Sequence, residues 1–409
     1  MKKFLLVLLM FLAFPVLGSE ALELRGYYKS FLYFYDYKDG TKDFFELESD
    51  KNILNQNVFR LKLFSDPADW LSMEAAYSLS PTVSMYKNDG RSLTTPSVDS
   101  YRVVDIDQTA LSQGNFNLYK NIDRLTFNFA LPFADIIVGR QAISFGSARF
   151  FNPTDVFSPF SFQELNKEEK FGIDAIRVKI PIGDMGEIDV GYVFGEHADW
   201  KKSAAFARVR FPIGKYDISV IAMEYKTHLL AGLNVSGSIG GAGVWFEGAY
   251  TFAGLLEDGK DMDFDQSFAR LSAGFDYYFP HDIYFFFEYH YSQPGTLKSE
   301  KYLANSTIQT AAYNDTGVYL MGEHYLAPGL SWQIHPLVTF AFSVLFNCSD
   351  PSAMISASLD WSVIEDVAIS AGANISVGKQ SDFSGLFPKV NSEFGFYPNI
   401  YYIDLKMYF

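Results

Sequence analysis

Cysteine occurs once in the 409 residues, at Cys348, so no internal disulfide can hold this chain together. It reads as an inert small residue near a strand end. Long apolar runs are scarce too: beyond the first twenty or so residues nothing approaches the roughly 18 apolar residues of a spanning helix. Basic charge is in deficit, with 33 Lys and Arg against 48 Asp and Glu, which argues against a nucleic-acid partner. The six histidines show no metal-ligand spacing and no glycine-rich phosphate loop opens a helix, so neither a metal site nor a cofactor is expected. His290 beside Glu288 has no placed nucleophile and reads as a wall residue, not an enzyme's acid/base pair. The loop 257–265 spaces Asp261, Asp263 and Asp265 alternately but departs from the calcium-loop pattern at Gln266 and Ser272. It reads as a solvated acidic loop, suited to bridging to lipopolysaccharide phosphates through divalent ions.

What the chain has instead is rings and alternation. Aromatic residues make up 17%, with 40 Phe and 26 Tyr, at a mean hydropathy near zero. A water-soluble core does not need so many; a wall that turns apolar side chains into lipid does. The opening MKKFLLVLLMFLAFPVLGSEA places Lys2 and Lys3 before an apolar run that Pro15 ends, the order of a secretory signal peptide over 1–21. That run is too short for an anchor. Cleavage after Ala21 removes Lys2, Lys3 and Glu20 and leaves 31 basic and 47 acidic residues, a net charge of −16.

From residue 22 the pattern has period two. Leu24, Gly26, Tyr28, Ser30, Leu32 and Phe34 fall on one face and Arg25, Tyr27 and Lys29 on the other. Similar alternation returns in NVFRLKLF, IDRLTFNFAL, IYFFFEYHY and near residues 369–376. Tight turns carrying Pro, Gly and Asp fall at 65–69, 131–135, 181–187, 211–217, 238–243, 278–282, 334–337 and 364–366. Between them lie longer connections at 36–53, 81–118, 146–169, 253–265, 294–317 and 379–396, and short ones near 197, 227 and 349. Eight turns and nine loops imply an all-β transmembrane antiparallel β-barrel of about 18 strands over 22–409. The weaker patterns near 216–237 and 318–334 leave 16 as the alternative.

The last strand sets Tyr401, Ile403, Leu405, Met407 and Phe409 on one face and ends in phenylalanine. Here the chain resembles Gram-negative outer-membrane proteins, whose C-terminal strand is read by the barrel-insertion machinery. The resemblance implies the outer membrane, with both termini periplasmic, lipid and lipopolysaccharide as surroundings, and a monomer or trimer.

A basic side chain facing lipid near the midplane costs roughly 2 to 4 kcal/mol, so parity assigns basic residues to the bore. Arg25, Lys29, Arg60, Lys62, Arg124, Arg140, Arg177, Lys179, Arg208 and Arg210 then form a basic wall on the early strands. Glu247, Asp276, Glu288, Asp360 and Asp404 form an opposing acidic wall, with Arg270 and Lys406 as exceptions. Such walls would set a transverse field across the pore, unless the interior is filled with paired charges. Arg140 fits badly. If it points inward, Gln141 falls on the lipid face and Ile136 and Val138 on the bore, and Asp174 has the wrong parity from Arg177; a bulge would repair this.

Between two of these strands runs GRQAISFGSARFFNPTDVFSPFSFQELNKEEKFGIDAIRVK, from Gly139 to Lys179. Gly139, Arg140, Gln141, Gly146, Asn152, Pro153, Asp155, Asp174 and Arg177 carry a resemblance to proteobacterial porin-like barrels of undefined function and, more loosely, to the alginate-export family. Asn152 and Asp155 flank Pro153 in a turn pattern, and Phe150, Phe151, Phe157, Phe160 and Phe162 are too apolar for a loop in water. The loop 146–169 is therefore expected to fold inward and constrict the bore, with Arg149, Asn152, Asp155, Glu164, Glu168 and Glu169 near the basic wall. A lid at the mouth is the alternative. The expected function is a porin-like, non-enzymatic channel for small hydrophilic solutes, anionic ones among them. Export of an anionic polymer, and a closed barrel acting through its loops as an adhesin, are the rival readings.

Overall fold

A computed structural model of the chain describes residues 22–38, 47–86, 101–104, 108–160, 164–256, 266–303, 315–316, 320–383 and 389–409. The expected signal peptide, the loop 257–265 and Phe162 lie outside the described residues.

Alternation turns into strands, and the strands into one closed antiparallel sheet. The first six are β1 (Glu23–Asp36), β2 (Lys51–Ala68), β3 (Leu71–Ser84), β4 (Gln108–Gln113), β5 (Phe116–Leu131) and β6 (Ala134–Gln141). Then follow β7 (Ile173–Ile182), β8 (Gly186–Val193), β9 (Ala204–Ile213), β10 (Tyr216–Tyr225), β11 (His228–Ile239) and β12 (Ala242–Phe252). The rest are β13 (Phe268–Phe279), β14 (Ile283–Ser292), β15 (His324–His335), β16 (Val338–Asn347), β17 (Ser352–Ile364), β18 (Val367–Val377) and β19 (Asn399–Tyr408). β1 closes on β19 from Tyr27 opposite Tyr408 to Asp36 opposite Asn399.

Eighteen strands make the wall. The nineteenth, β4, pairs only with residues 116–120 of β5, on the edge that the short β6 leaves vacant, because β6 covers no more than 125–131. The 16-stranded alternative is thereby excluded. Seven of the eight tight turns fall where Pro, Gly and Asp place them; the first lies at 69–70, because β2 runs on through Pro67 with a bulge, and β15 starts at His324, later than the pattern near 318 suggests.

Residues directly opposite in an antiparallel ladder share a face, so one inward residue fixes the parity of the whole wall. Lys29 opposes Lys406, and from there the register leads through every strand to an outer face that exposes Phe59, Leu233, Phe246, Phe275, Leu359 and Ile403. The bore is not uniformly polar. On its loop side, Ala175, Val193, Phe206, Met223, Tyr225 and Leu230 pack against Phe145, Val156 and Phe157 of the segment 142–172. The dry core of this barrel therefore lies inside it.

Candidate functional site

The segment 142–172 begins where β6 stops. Gly139 has φ +115, and a Cβ there would stand 2.1 Å from the Leu125 carbonyl oxygen, so only glycine fits this close approach. The chain then leaves the wall and crosses the bore as a strap. Its first limb is held by two buried carboxylates. Glu247 on β12 accepts the backbone N–H groups of Ser147 (3.0 Å), Ala148 (3.3 Å) and Thr154 (2.8 Å), and the Thr154 hydroxyl. Glu288 on β14 accepts those of Arg149 (2.7 Å) and Phe151 (2.9 Å), together with the Trp245 indole N–H (3.0 Å). Arg270 on β13 donates to the Pro153 carbonyl and Ser272 to that of Phe151, both at 2.7 Å. A loop's peptide groups cannot be left unpaired when buried, and here the wall supplies partners that secondary structure would otherwise provide.

Asn152 opens the turn that the NPTD sequence implies, its carbonyl accepting from Asp155 N–H at 3.1 Å. Asp155 in turn binds Lys170 and accepts from the Ser144 hydroxyl, stapling the two limbs of the strap. Burial raises the Asp155 carboxyl above the usual range, with Lys170 opposing it. The second limb runs to the other wall. Glu168 pairs with Lys29 and accepts from the Tyr408 hydroxyl; Glu169 pairs with Lys62 and lies 3.7 Å from Arg60 and 3.6 Å from Arg124. Burial pushes Glu169 up, but these three cations outweigh it and hold the carboxyl below its ordinary range. Arg124 also donates to the Lys170 carbonyl at 2.7 Å.

The remaining charges sort into pairs rather than opposed walls. Arg60 meets Asp123 at 2.8 Å, and Arg124 meets it at 3.3 Å. Arg177 grips Asp189 with two hydrogen bonds (2.8 and 2.6 Å), and Arg208 bridges Glu187 (2.7 Å) and Asp189 (3.3 Å). Arg25 pairs with Glu23 at 2.7 Å. Lys179 lies opposite Asp135 and Asp189 in the ladder, and Arg210 opposite Glu187. Arg149 meets Asp276 at 2.9 Å, Asp404 meets Lys406 at 3.3 Å, and Asp360 accepts from the Ser370 hydroxyl at 2.6 Å. Glu164 lies half-buried on the strap.

Three expectations are corrected. The basic wall is largely neutralised, because a buried cation in a low-dielectric wall needs a carboxylate beside it, and for Lys29, Arg60, Lys62, Arg124, Arg177 and Arg208 the neighbouring strand or the strap supplies one. Glu247 and Glu288 do not face open water: each is at most 1% exposed and is consumed in holding the strap. Arg140 does not line the bore. The β6 register runs without a break, placing Ile137 with Arg177 inward and Arg140 with Asp174 and Leu125 on the outer side. There Arg140 binds Asp174 (2.7 Å) and the carbonyls of Ile122 (2.8 Å) and Val104 (2.9 Å), while Val103 N–H donates to Asp174 (2.9 Å). Residues 101–104 cover this pair, with Tyr101 reaching Phe157 inside the barrel, so a charge of outer parity is satisfied at the loop end of the wall without facing lipid. The wrong parity of Asp174 was the signal that the two belong together.

Asp123 was missed for a different reason. It is bulged out of the ladder between Ile122 and Arg124, so consecutive residues both turn inward, and the adjacent charges in IDR mark the irregularity. Asp189 and Glu187 could have been found by parity alone, since Ile188 and Val190 face outward. His290 shares a hydrogen bond with the Ser272 hydroxyl at 2.8 Å and lies against Phe151, buried beneath the strap.

On the turn side of the strap the bore keeps a cavity of about 560 Å³, lined by Glu74, Arg124, Thr126, Asn128, Gln141 and Arg177 among others.

A closed 18-stranded wall with a strap tied inside it is a fold that this chain shares with solved outer-membrane porins. Among solved structures, OccAB3 of Acinetobacter baumannii superposes with a TM-score of 0.59 at 10% identity, over 95% of this chain and 99% of that one. A BenF-like porin of Pseudomonas fluorescens gives 0.58 at 9% identity over 95% and 98%. The outer membrane protein OpdK of Pseudomonas aeruginosa gives 0.54 at 8% identity over 95% and 99%. No protein-family model and no curated protein matches the chain by sequence, so the alginate-export resemblance gains no support there. What these likenesses share with the chain is the fold.

Proposed function

We propose that the protein is an outer-membrane channel for small hydrophilic solutes. The observation that carries this reading is a cavity of about 560 Å³ inside a closed barrel whose outer face is apolar and whose bore beneath the strap is lined by charge and hydroxyl groups. OpdK has also been solved with vanillate, which supports admission of small organic anions by a barrel of this fold. A bore whose buried cations mostly have carboxylate partners presents no wall of a single sign. In this reading residues 1–21 are removed on export and both ends of the mature chain stand at the periplasmic rim. The strand ending in Phe409 is offered to the insertion machinery, and lipopolysaccharide surrounds the loop end. No catalytic role is proposed. The strap divides the bore and disfavours passage of a polymer.

The test is single-channel current through the refolded protein in a planar bilayer, beside a variant whose residues 147–169 are replaced by a short Gly-Ser linker. Small steady conductance that rises severalfold without the strap is expected. Absence of current in both would overturn the channel reading.

A further inference from the structure

The cavity under the strap contains a carboxylate that the ion-pair network leaves over. Glu74, on β3, turns inward opposite Phe64 on β2 and Thr126 on β5. It is half-buried and has no hydrogen bond or ion pair among the described residues. Every guanidinium lining the same cavity is committed elsewhere: Arg25 to Glu23, Arg124 to Asp123 and Glu169, Arg177 to Asp189. A contact pair acts at a distance only as a dipole, so the lone carboxylate is the charge a passing solute feels first.

Its surroundings are not uniformly negative. Arg60, Lys62 and Arg124 share two carboxylates, Asp123 and Glu169, which leaves that cluster one positive charge in excess. Ala76, two residues along β3 from Glu74, is opposed by Lys62 on one side and Arg124 on the other. The excess cation and the free carboxylate therefore stand on one patch of wall without touching. Asn128, two residues beyond Thr126, adds a buried side-chain oxygen that has no partner.

We infer that Glu74 forms a cation subsite, taking the ammonium group of a small cationic or zwitterionic solute whose carboxylate, where it has one, turns toward the Arg124 and Lys62 cluster. This rests on the channel reading and names a solute class for the same bore. Glu74 then sets the cation preference, and the Arg124 and Lys62 cluster, mostly spent on Asp123 and Glu169, acts only on a solute that also carries a carboxylate.

The test compares the full-length protein, Glu74→Gln and Asp360→Asn in planar bilayers under a potassium chloride gradient, with 1,4-diaminobutane added afterwards. Asp360 is an inward carboxylate of β17 that already has hydroxyl partners. Glu74→Gln is expected to lower the cation-to-anion permeability ratio at low salt, by up to about thirtyfold, because a unit charge about 4 Å from the path in a water-like dielectric changes the occupancy of each ion about sixfold and in opposite senses. It should also abolish current interruptions by the diamine, while Asp360→Asn keeps both. Current with the same reversal potential in Glu74→Gln as in the parent overturns the inference and leaves the channel standing. An equal shift in Asp360→Asn also overturns it, because any lost carboxylate would then do. Absence of current in all three defeats the channel reading and this one together.

Discussion

Glu247 and Glu288 use their charge to hold peptide N–H groups of the strap, which puts the decisive chemistry of this barrel at single side chains. Replacing either by Gln keeps the volume but turns an amide NH₂ toward backbone donors. Each variant should lose on the order of 2 kcal/mol of stability, measured by urea unfolding in detergent, because hydrogen bonds to a charged acceptor are the strong ones. Loss of a few tenths only would mean that the strap is held by its phenylalanines. A second single-residue effect is set by pH. Glu393, in the turn of helix before β19, is buried against Asp350 and accepts from the Tyr325 hydroxyl, Met321 N–H and Asn347; burial, reinforced by Asp350, lifts its carboxyl to about 7. The folded chain thus binds this proton more tightly than the unfolded one. That stabilisation is complete below the ordinary carboxylate range and is lost as pH rises through about 7. Hydrogen exchange in residues 389–398, corrected for intrinsic rate, should be faster at pH 8 than at pH 6, and the difference should vanish in Glu393→Gln. At this scale the sequence was partly legible. Parity named Lys29, Arg60, Lys62, Arg124 and Arg177 as inward, but it counts charges by face and is blind to which carboxylate sits beside which cation. Asp123 escaped because a bulge displaces it, and Asp174, noticed for its wrong parity, could not be matched to Arg140 because parity names no partner.

The strap is the element that gives the bore its shape, and it behaves as a span with two abutments. Substituting Lys29 and Lys62 together by Met removes the closest ion pairs of Glu168 and Glu169, leaving them the Tyr408 hydroxyl and the longer contacts with Arg60 and Arg124, while Glu247 and Glu288 keep the first limb docked. The expected outcome is a noisier current at unchanged barrel stability, read as excess open-channel noise in the same bilayer; quiet current would show that the second limb needs no ion pair. That this segment folds inward was readable from its five phenylalanines and its NPTD turn, since such a segment cannot lie in water. Where it docks was not. Its partners on β12 to β14 lie about a hundred residues away in sequence, and a buried carboxylate that accepts backbone N–H groups looks, in the sequence, like any inward charge.

As a whole molecule, the barrel owes its legibility to repetition. Turn chemistry recurs at every second connection, so the eight tight turns and eighteen wall strands could be counted before any contact was known, and only the extra pairing of β4 on the vacant edge of β5 needed coordinates. The closing ladder of β1 on β19 starts at one close contact. Gly26 exchanges two backbone hydrogen bonds with Phe409 (2.8 and 3.0 Å), and a Cβ on Gly26 would stand 2.6 Å from the Phe409 ring. Gly26→Leu should therefore lower the temperature at which the barrel loses its fast mobility on a semi-native gel, as should removal of Phe409; an unchanged transition would show that the terminal ring is not part of the seam. The strap bears on the whole molecule in a further way. It ties β1, β2 and β5 to β12, β13 and β14, which stand nearly across the cylinder from one another. A thin-walled tube resists stretching along its axis far better than flattening across it, and a brace on the diameter acts against flattening. Squeezed by lipid, this barrel should keep a round cross-section, so that the size of solute it admits does not depend on how tightly the surrounding membrane is packed.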